Sequence, residues 1–386
     1  MRVQNVTEEG LNLTDCKYIN FDTHNGMLKR SQVKEGYLIT KITGVGRMAV
    51  SSVAPKGFEG NINQHLVAIK TDSYETSEVL SAFLNSDVGE RLAYRRSTGG
   101  TRPALDYQAL ETIPVVFNPK VVDIVQSAYK QKKQREAEAQ RLLDSIDGYV
   151  LDELDIKLPE VEEKTCFVVN AKGVQNSRVD VYYYQPKFEE VEKSLGKGMY
   201  EAVVFDHLII DLKNGVEIRN YSENGYRYLR VTDLDKFGIS DSSPRFVAVN
   251  EIPEKIRLND SSFLISRSGS LGLVSIVEEK IKDVILSSHI FKVDLDTSKI
   301  LPRYLEAFFR STLGQIQFFR NNNGGIVPEI NQSALKSLMV VIPPLSIQTK
   351  IAEEIKSRIS EAERLKAEAN KIIGEAKKRV EEVILG

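Results

Sequence analysis

The sequence predicts an α+β protein. Two mixed α/β heads are joined by two long helices packed as an antiparallel coiled coil, and the whole carries an internal pseudo-two-fold repeat. Three observations predict this. First, Asn118 to Lys157 opens Asn-Pro and runs, rich in Lys, Gln, Glu, Ala, Arg and Leu, to its first glycine at Gly148. Second, Leu345 to Gly386 behaves the same way behind Ile-Pro-Pro. Third, Leu80-Ser-Ala-Phe-Leu-Asn-Ser-Asp-Val-Gly89 returns as Leu305-Glu-Ala-Phe-Phe-Arg-Ser-Thr-Leu-Gly314, an offset of 225 (305 − 80). The same offset pairs Gly99-Gly100 with Gly324-Gly325, Pro103 with Pro328, Val115-Val116 with Val340-Val341, and Val6-Thr7 with Val231-Thr232. The long helices align one residue later: Val121, Val125, Tyr129, Ile146 and Leu154 against Ile347, Ile351, Ile355, Ile372 and Val380. Matches sustained over most of both halves mark a duplication rather than chance. At these offsets the first copy has no counterpart for about Thr165 to Gly225.

The elements follow in order. Residues 1–117 form the first head. Tyr37 to Thr43 and Gln64 to Lys70 read as strands, because β-branched and apolar residues dominate them. Thr76 to Tyr94 reads as one helix, with Val79, Leu80, Phe83, Leu84 and Val88 at helical spacing. Ser97 to Pro103 is a loop, Leu105 to Leu110 a short helical turn, and Thr112 to Phe117 a buried strand. Residues 118–160 are the first rod. Its apolar stripe thins to alanine between Lys130 and Gln140. Residues 161–343 form the second head, with strands expected at 227–231, 246–249, 263–267 and 289–293 and a helix over Leu301 to Phe319. Residues 344–386 are the second rod, striped by Ile347, Ile351, Ile355, Ile359, Ala362, Leu365, Ala369, Ile372, Ala376 and Val380. Spacing of three and four over about five heptads argues for helix-on-helix packing, and the other rod is the nearest cover. Rods of this length span about 60 Å.

Composition bounds the function. Apolar residues make up 41% and charged residues 27%, ordinary for a soluble chain. The longest apolar run, Leu338 to Leu345, holds two prolines and is too short to cross a bilayer, so no membrane role is expected. Met1 to Gly10 has no signal pattern, which makes the cytoplasm the expected location. Two cysteines, Cys16 and Cys166, make neither a disulfide framework nor a metal site.

Catalytic constellations are missing. Ile342-Pro-Pro-Leu345 places Ile and Leu where an amino-methyltransferase motif needs a polar residue and an aromatic. Gly44-Val-Gly46 is a turn and not a dinucleotide loop, and no phosphate loop occurs. Glu162-Glu163-Lys164 mimics the end of a nuclease site but sits in a linker charge run. His65 and His289 fall at equivalent places, each opening an apolar strand, and read as hydrogen-bonded structural histidines. No catalytic residue, metal or cofactor is expected.

Two heads, each with Leu-x-Ala-Phe-x-x-Ser-x-x-Gly then Gly-Gly-x-x-Pro and a long helix, resemble the specificity (S) subunit of a type I restriction-modification system. The most specific parts are Met339 to Ile351, containing Pro343-Pro344-Leu345 and Gln348, and Arg178 to Pro186. The first copy departs from the pattern: it has Asn118-Pro119, and Val122 or Asp123 where the second has Gln348. The resemblance implies two target recognition domains, each reading half of a bipartite double-stranded DNA site. It also implies spacer helices that set the separation and dock two methyltransferase subunits, and restriction subunits in the full complex.

That role needs Arg, Lys, Asn and Gln on one face of each head, because base edges carry the sequence information and phosphates hold the register. In the first head the candidates are Lys41, Arg47, Arg95, Arg96 and Arg102. In the second they are Arg219, Arg227, Arg267, Arg320, Asn321, Asn322 and Asn323. The Arg-Asn-Asn-Asn run leads, since Arg suits guanine and Asn adenine; the competing reading makes those asparagines turn formers. A net charge of −2 predicts weak DNA binding by the isolated chain. The rods are expected to act as a ruler for the spacer, and the polar stretch Lys130 to Gln140 to receive a partner subunit. The alternative to a DNA reader is a coiled-coil adapter with two protein-binding heads.

Overall fold

The computed structural model describes the chain except residues 14–15, 45, 101, 160–164, 171–173, 175–177, 236–237, 241–242 and 278–282. Glu162-Glu163-Lys164 therefore lies outside the described residues. The chain forms two compact units: residues 1–140 with 362–386, and residues 141–361.

In the first unit, Leu38–Lys41 is the central strand of a three-stranded antiparallel sheet, flanked by Ser51–Val53 and Leu66–Ile69. The predicted helix over 76–94 is two helices, Tyr74–Leu84 and Asp87–Arg96. Ser86 is the reason for the break. Its backbone is extended, and its Oγ accepts from the Gly89 N–H at 3.1 Å as the cap of the second helix. Asn85 then spends its amide on both backbone groups of Ser51, at 2.8 and 2.7 Å, which ties the break to the sheet. The second unit repeats the device: Pro302–Arg310 and Thr312–Arg320 break at the extended Ser311. The repeated motif is thus a helix–Ser–helix corner. Its glycine lets the second helix cross over the end of the first, since a Cβ on Gly89 would lie 2.1 Å from the Phe83 carbonyl oxygen.

The rods are Pro119–Glu153 and Leu345–Leu385. Proline at the first helical position costs the first rod nothing, because that N–H has no intrahelical acceptor anyway. The rod ends earlier than the sequence suggests, at a Schellman turn. Asp155 takes φ 52°, Ile156 N–H reaches the Leu151 carbonyl at 3.0 Å, and Asp155 N–H reaches that of Asp152 at 3.1 Å. In the first unit the rods pack through Val121, Val125 and Ala128 against Ile373, Ala376 and Val380, with Val79 and Ala82 of the head closing the core. In the second, Lys350 meets Glu153 at 2.7 Å, and Arg358 donates to the Ser145 carbonyl at 3.0 Å. Low numbers on one rod face high numbers on the other in both units, so the pair is antiparallel, as expected.

The polar middle of the first rod is not bare. Lys133 pairs at 2.7 Å with Glu78, whose side chain is only 5% exposed, and stands 4.5 Å from the Tyr74 ring centre. Arg135 reaches Glu368 at 3.6 Å. Two of its cations are thus engaged within the chain, while most residues from 131 to 140 are exposed. Burial holds the Glu78 carboxyl above its ordinary value, with Lys133 opposing. A carboxyl raised on folding contributes stability that is full below its unfolded value and is lost as pH rises through its folded value. Lys133→Met removes the opposing charge. We expect it to lower stability by about 2 kcal/mol at pH 7, with part recovered at pH 5. Thermal melts at the two pH values measure this; equal losses at both would exclude the coupling.

The second head has a four-stranded antiparallel sheet in the order Val274–Ile276, Ser262–Ser266, Ile290–Leu295, Ile209–Asn214. A second sheet holds Tyr226–Leu229 between Arg245–Val247 and Val284–Leu286, and pairs with the latter in parallel. Met339–Val341 pairs with Ala202–Val204. Edge-to-face aromatics fill the core: Phe205 on Phe309 at 5.1 Å and Phe309 on Phe318 at 5.3 Å between ring centres.

Two further expectations are corrected. The predicted strand at Thr112–Phe117 does not form; Val116 and Phe117 are 39% and 54% exposed. Its counterpart, Met339–Val341, is a strand because Ala202–Val204 supplies its hydrogen bonds, and no described residue does so for 114–117. The second correction is of register at the start. Val6-Thr7 is a strand equivalent to Leu234-Asp235, an offset of 228 (234 − 6), and not to Val231-Thr232. In both copies an Arg opens a 3-10 turn closed by an Asn or Asp side chain: Asn5 on Arg2 N–H at 2.7 Å, Asp233 on Arg230 N–H at 2.8 Å.

Candidate nucleic-acid interface

Each head gathers three loops at one end of its sheet. In the first, the chain leaving Leu38–Lys41 turns at Thr43-Gly44, the chain entering Leu66–Ile69 passes His65, and the Gly-Gly loop closes over both. Thr43 Oγ1 bonds His65 Nδ1 at 2.7 Å, Gly44 N–H donates to the Pro103 carbonyl at 3.3 Å, and Leu105 N–H to that of Ile42 at 2.8 Å. In the second, Ser268 Oγ bonds His289 Nδ1 at 2.5 Å, Gly269 N–H donates to the Pro328 carbonyl at 2.9 Å, and Ile330 N–H to that of Arg267 at 2.9 Å. Gly44 and Gly269 take φ 128° and 90°, which favours glycine at this turn in both copies. The histidines are hydrogen-bonded, and the shared Gly-Gly-x-x-Pro signature is the loop's scaffold. The Thr/Ser–His pair was not read from the sequence as a unit. Its signal was the equivalent placement of His65 and His289.

The candidate side chains divide. Around the first cluster, Lys41 reaches over the turn: a Cβ on Gly44 would lie 3.2 Å from its Cε. Arg95 and Arg96 end the helix that leads into the loop, and Arg102 is exposed on the loop itself. Arg96 is partly held, with Nε on Thr112 Oγ1 at 2.9 Å. Arg47 points inward instead. Its guanidinium faces Glu8 at 3.5 Å, Asp87 at 3.0 Å and Glu90 at 3.5 Å, and it is spent on holding the head together.

In the second head, Arg219 is 86% exposed beside Glu217 at 3.2 Å, and Glu217 also accepts from Ser288 Oγ at 2.7 Å, next to His289. Those bonds, Ser288 first and Arg219 second, hold the Glu217 carboxyl below its usual value. Arg267 pairs with Glu329 at 2.6 Å. Arg227 donates to the Ser240 carbonyl at 2.8 Å, inside the head.

The Arg-Asn-Asn-Asn run is built mostly into the fold. Arg320 has a side chain 15% exposed, pairs with Glu192 and stacks 4.6 Å from the Tyr183 ring centre. Asn321 donates to the Gln317 carbonyl at 3.0 Å. Asn322 accepts from Gly324 and Glu329 N–H, both at 3.0 Å, and its own carbonyl accepts from Arg178 at 2.6 Å. The turn-former reading describes Asn321 and Asn322. Asn323 is exposed. Beyond it, Val327 is 58% exposed and Ile326 fully so, at the apolar tip of the loop. The motif Arg178 to Pro186 has the same physical role, since Arg178 and Tyr183 clamp this loop from below.

Residues 219–372 match the family model described as the type I restriction modification DNA specificity domain. This stretch is similar to a type I DNA specificity domain. That domain spans the second head from Arg219 and most of the second rod, the portion the internal repeat also copies into the first half. The chain is 22% identical over 182 residues to the type I restriction enzyme EcoKI specificity subunit of Escherichia coli (strain K12), covering 45% of this chain and 39% of that protein. Two solved structures are similar. The type I S subunit from M. genitalium is 11% identical, covering 98% of this chain and 91% of that one with a TM-score of 0.42. The HsdS subunit from Thermoanaerobacter tengcongensis is 11% identical, covering 98% and 88% with a TM-score of 0.38. The resemblance drawn from the sequence is borne out. These matches are all to specificity components. Among the described residues, no helix is long and apolar enough to cross a membrane.

Proposed function

We propose that this chain reads a bipartite double-stranded DNA site, one half with the loop cluster of each head. The observation that carries the reading is the duplication of one loop cluster around a common scaffold, with different side chains on each copy. A shared scaffold with divergent tips suits two readers of unlike half-sites. In this reading residues 1–117 and 161–343 are the recognition domains, and 118–160 and 344–386 are the spacer helices. The spacers dock two methyltransferase subunits, and restriction subunits join the full complex in the cytoplasm. An adapter with protein-binding heads gains no support from a specificity-domain match.

Arg95, Arg102 and Asn323 are exposed candidates to meet DNA, as is Arg219 beside Glu217, with Lys41 and Arg96 at the margin. With the methyltransferase partner bound, Arg102→Ala is expected to weaken binding to the cognate duplex by about tenfold, or about 1.4 kcal/mol. Arg47→Ala acts differently: it destabilises the head without altering the salt dependence of binding. Titration of labelled duplex over a salt series separates the two. Unchanged affinity for Arg102→Ala, Arg219→Ala and Asn323→Ala alike would remove the loop clusters from the interface.

A further inference from the structure

The Gly-Gly loop of the second head is a pinned finger with an apolar tip. Asn323 N–H donates to the Glu329 carbonyl at 2.8 Å, Asn322 Oδ1 accepts from Gly324 and Glu329 N–H at 3.0 Å each, and Ser268 of the neighbouring turn bridges to Glu329. Gly324 closes the finger, since a Cβ there would lie 2.0 Å from the Val327 carbonyl oxygen. Gly325, Ile326 and Val327 stand outside this base. A Cβ on Gly325 would meet nothing within 4 Å, Ile326 is fully exposed, and Val327 is 58% exposed. Two β-branched side chains on a pinned loop are ordered before any contact forms, which favours binding through them.

The size and place of the tip select its occupant. Stable protein–protein contacts bury about 800 Å² on each partner, far more than this tip presents. The major groove of duplex DNA, about 12 Å wide, has room for the finger. A cation stands beside it. Ser268 Oγ bonds His289 Nδ1 at 2.5 Å, the adjacent Ser288 donates to Glu217 at 2.7 Å, and Glu217 pairs at 3.2 Å with Arg219, whose side chain is 86% exposed. Base edges in the major groove carry hydrogen-bonding groups and one apolar group, the 5-methyl of thymine. An apolar finger beside an exposed guanidinium therefore matches a T·A pair next to a phosphate. The first copy differs at this place. At the repeat offset Val327 stands where Arg102 does (327 − 102 = 225).

We propose that Ile326 and Val327 read a thymine through its 5-methyl group in the half-site met by the second head, with Arg219 on a neighbouring phosphate. The inference rests on the DNA reading above and names the chemistry by which one loop cluster discriminates. In the same register the first head presents Arg102, which suits guanine. One position of a shared scaffold thus sets unlike base preferences in the two halves.

The test uses the full chain with the proposed methyltransferase partner bound, and duplexes carrying the consensus mapped from methylated genomic sites. Each thymine of the second half-site, on either strand, is replaced in turn by deoxyuridine, which lacks only the 5-methyl. One replacement is expected to weaken binding about fourfold, the effect of withdrawing one methyl from an apolar contact. A chain carrying both Ile326→Ala and Val327→Ala, at exposed positions outside the pinned base, binds the unmodified duplex about fourfold more weakly or worse and is indifferent to that replacement. Arg219→Ala weakens every duplex alike and keeps the deoxyuridine effect. A second half-site in which no replacement matters overturns the proposal, as does a double variant that still feels the replacement. Unstacking of a base step, reported by 2-aminopurine in the duplex and lost in the double variant, overturns it in favour of an apolar wedge. Preference for the unmodified consensus over a scrambled duplex judges the DNA reading by itself. With that preference and no deoxyuridine effect only the thymine contact falls, and without it both fall.

Discussion

Gly314→Ala is expected to destabilise the second unit by about 3 kcal/mol, a fall of roughly 10 °C in its melting temperature. A Cβ at Gly314 would lie 2.4 Å from Phe309 Cα, 2.5 Å from its carbonyl oxygen and 2.7 Å from that of Phe308. All three are backbone atoms of the preceding helix, so the clash cannot be relieved by rotating a side chain. The helices must separate, and Phe309, at the centre of the aromatic core, moves with them. Ala normally favours a helix over Gly by about 1 kcal/mol, which makes the control informative. Gly148 lies within the first rod with open space around its Cβ position. Gly148→Ala should therefore stabilise the same unit by about 0.5–1 kcal/mol. Opposite signs from one substitution at two helical glycines, read by calorimetry, test whether the repeated motif is a packing corner. Matching signs would refute that.

Gln348→Leu is expected to cost about 3 kcal/mol in the same unit. Gln348 is fully buried. Its Oε1 accepts from Leu301 N–H at 2.8 Å, and its Nε2 donates to the carbonyls of Lys299 at 3.0 Å and Pro343 at 2.9 Å. One amide thus joins the start of the second rod to the start of helix Pro302–Arg310. Leucine preserves the volume and leaves three backbone groups without partners in a dry site, each costing on the order of 1 kcal/mol or more. Gln348→Glu keeps the acceptor and loses both donations, so its loss should be at least as large at pH 7. Denaturant unfolding of both variants measures this, and a loss under 1 kcal/mol for Gln348→Leu would show the clamp to be dispensable.

The repeat and the rods were legible because they are written in spacing, and periodic apolar residues need cover. The corner was not: Thr76 to Tyr94 has unbroken helical spacing, and the break at Ser86 is set by a cap and by Asn85 bonds to Ser51, far away in sequence. Gln348 was legible as part of a signature but not as a clamp, since its partners are backbone groups 47 and 49 residues upstream and five residues away.

The failures share a cause. Val115-Val116-Phe117 has strand composition, but a strand needs a neighbour, and the neighbour's absence is a property of the fold and not of those residues. The run Arg320 to Asn323 has the composition of a base reader, yet Glu192 and Tyr183, more than a hundred residues earlier, capture Arg320. Arg47 was likewise indistinguishable from Arg102 until Glu8, Asp87 and Glu90 converged on it. Sequence shows which side chains carry charge. Only the fold shows which charges are already spent.

The most direct test of the central claim is to map methylated bases genome-wide in cells carrying the chain and the proposed methyltransferase partner, with and without exchange of the loop 97–104. The account predicts methylation at a two-part consensus, and a change confined to one part when the first loop is exchanged. Methylation without a two-part consensus, or a loop exchange that leaves both parts unaltered, would contradict it.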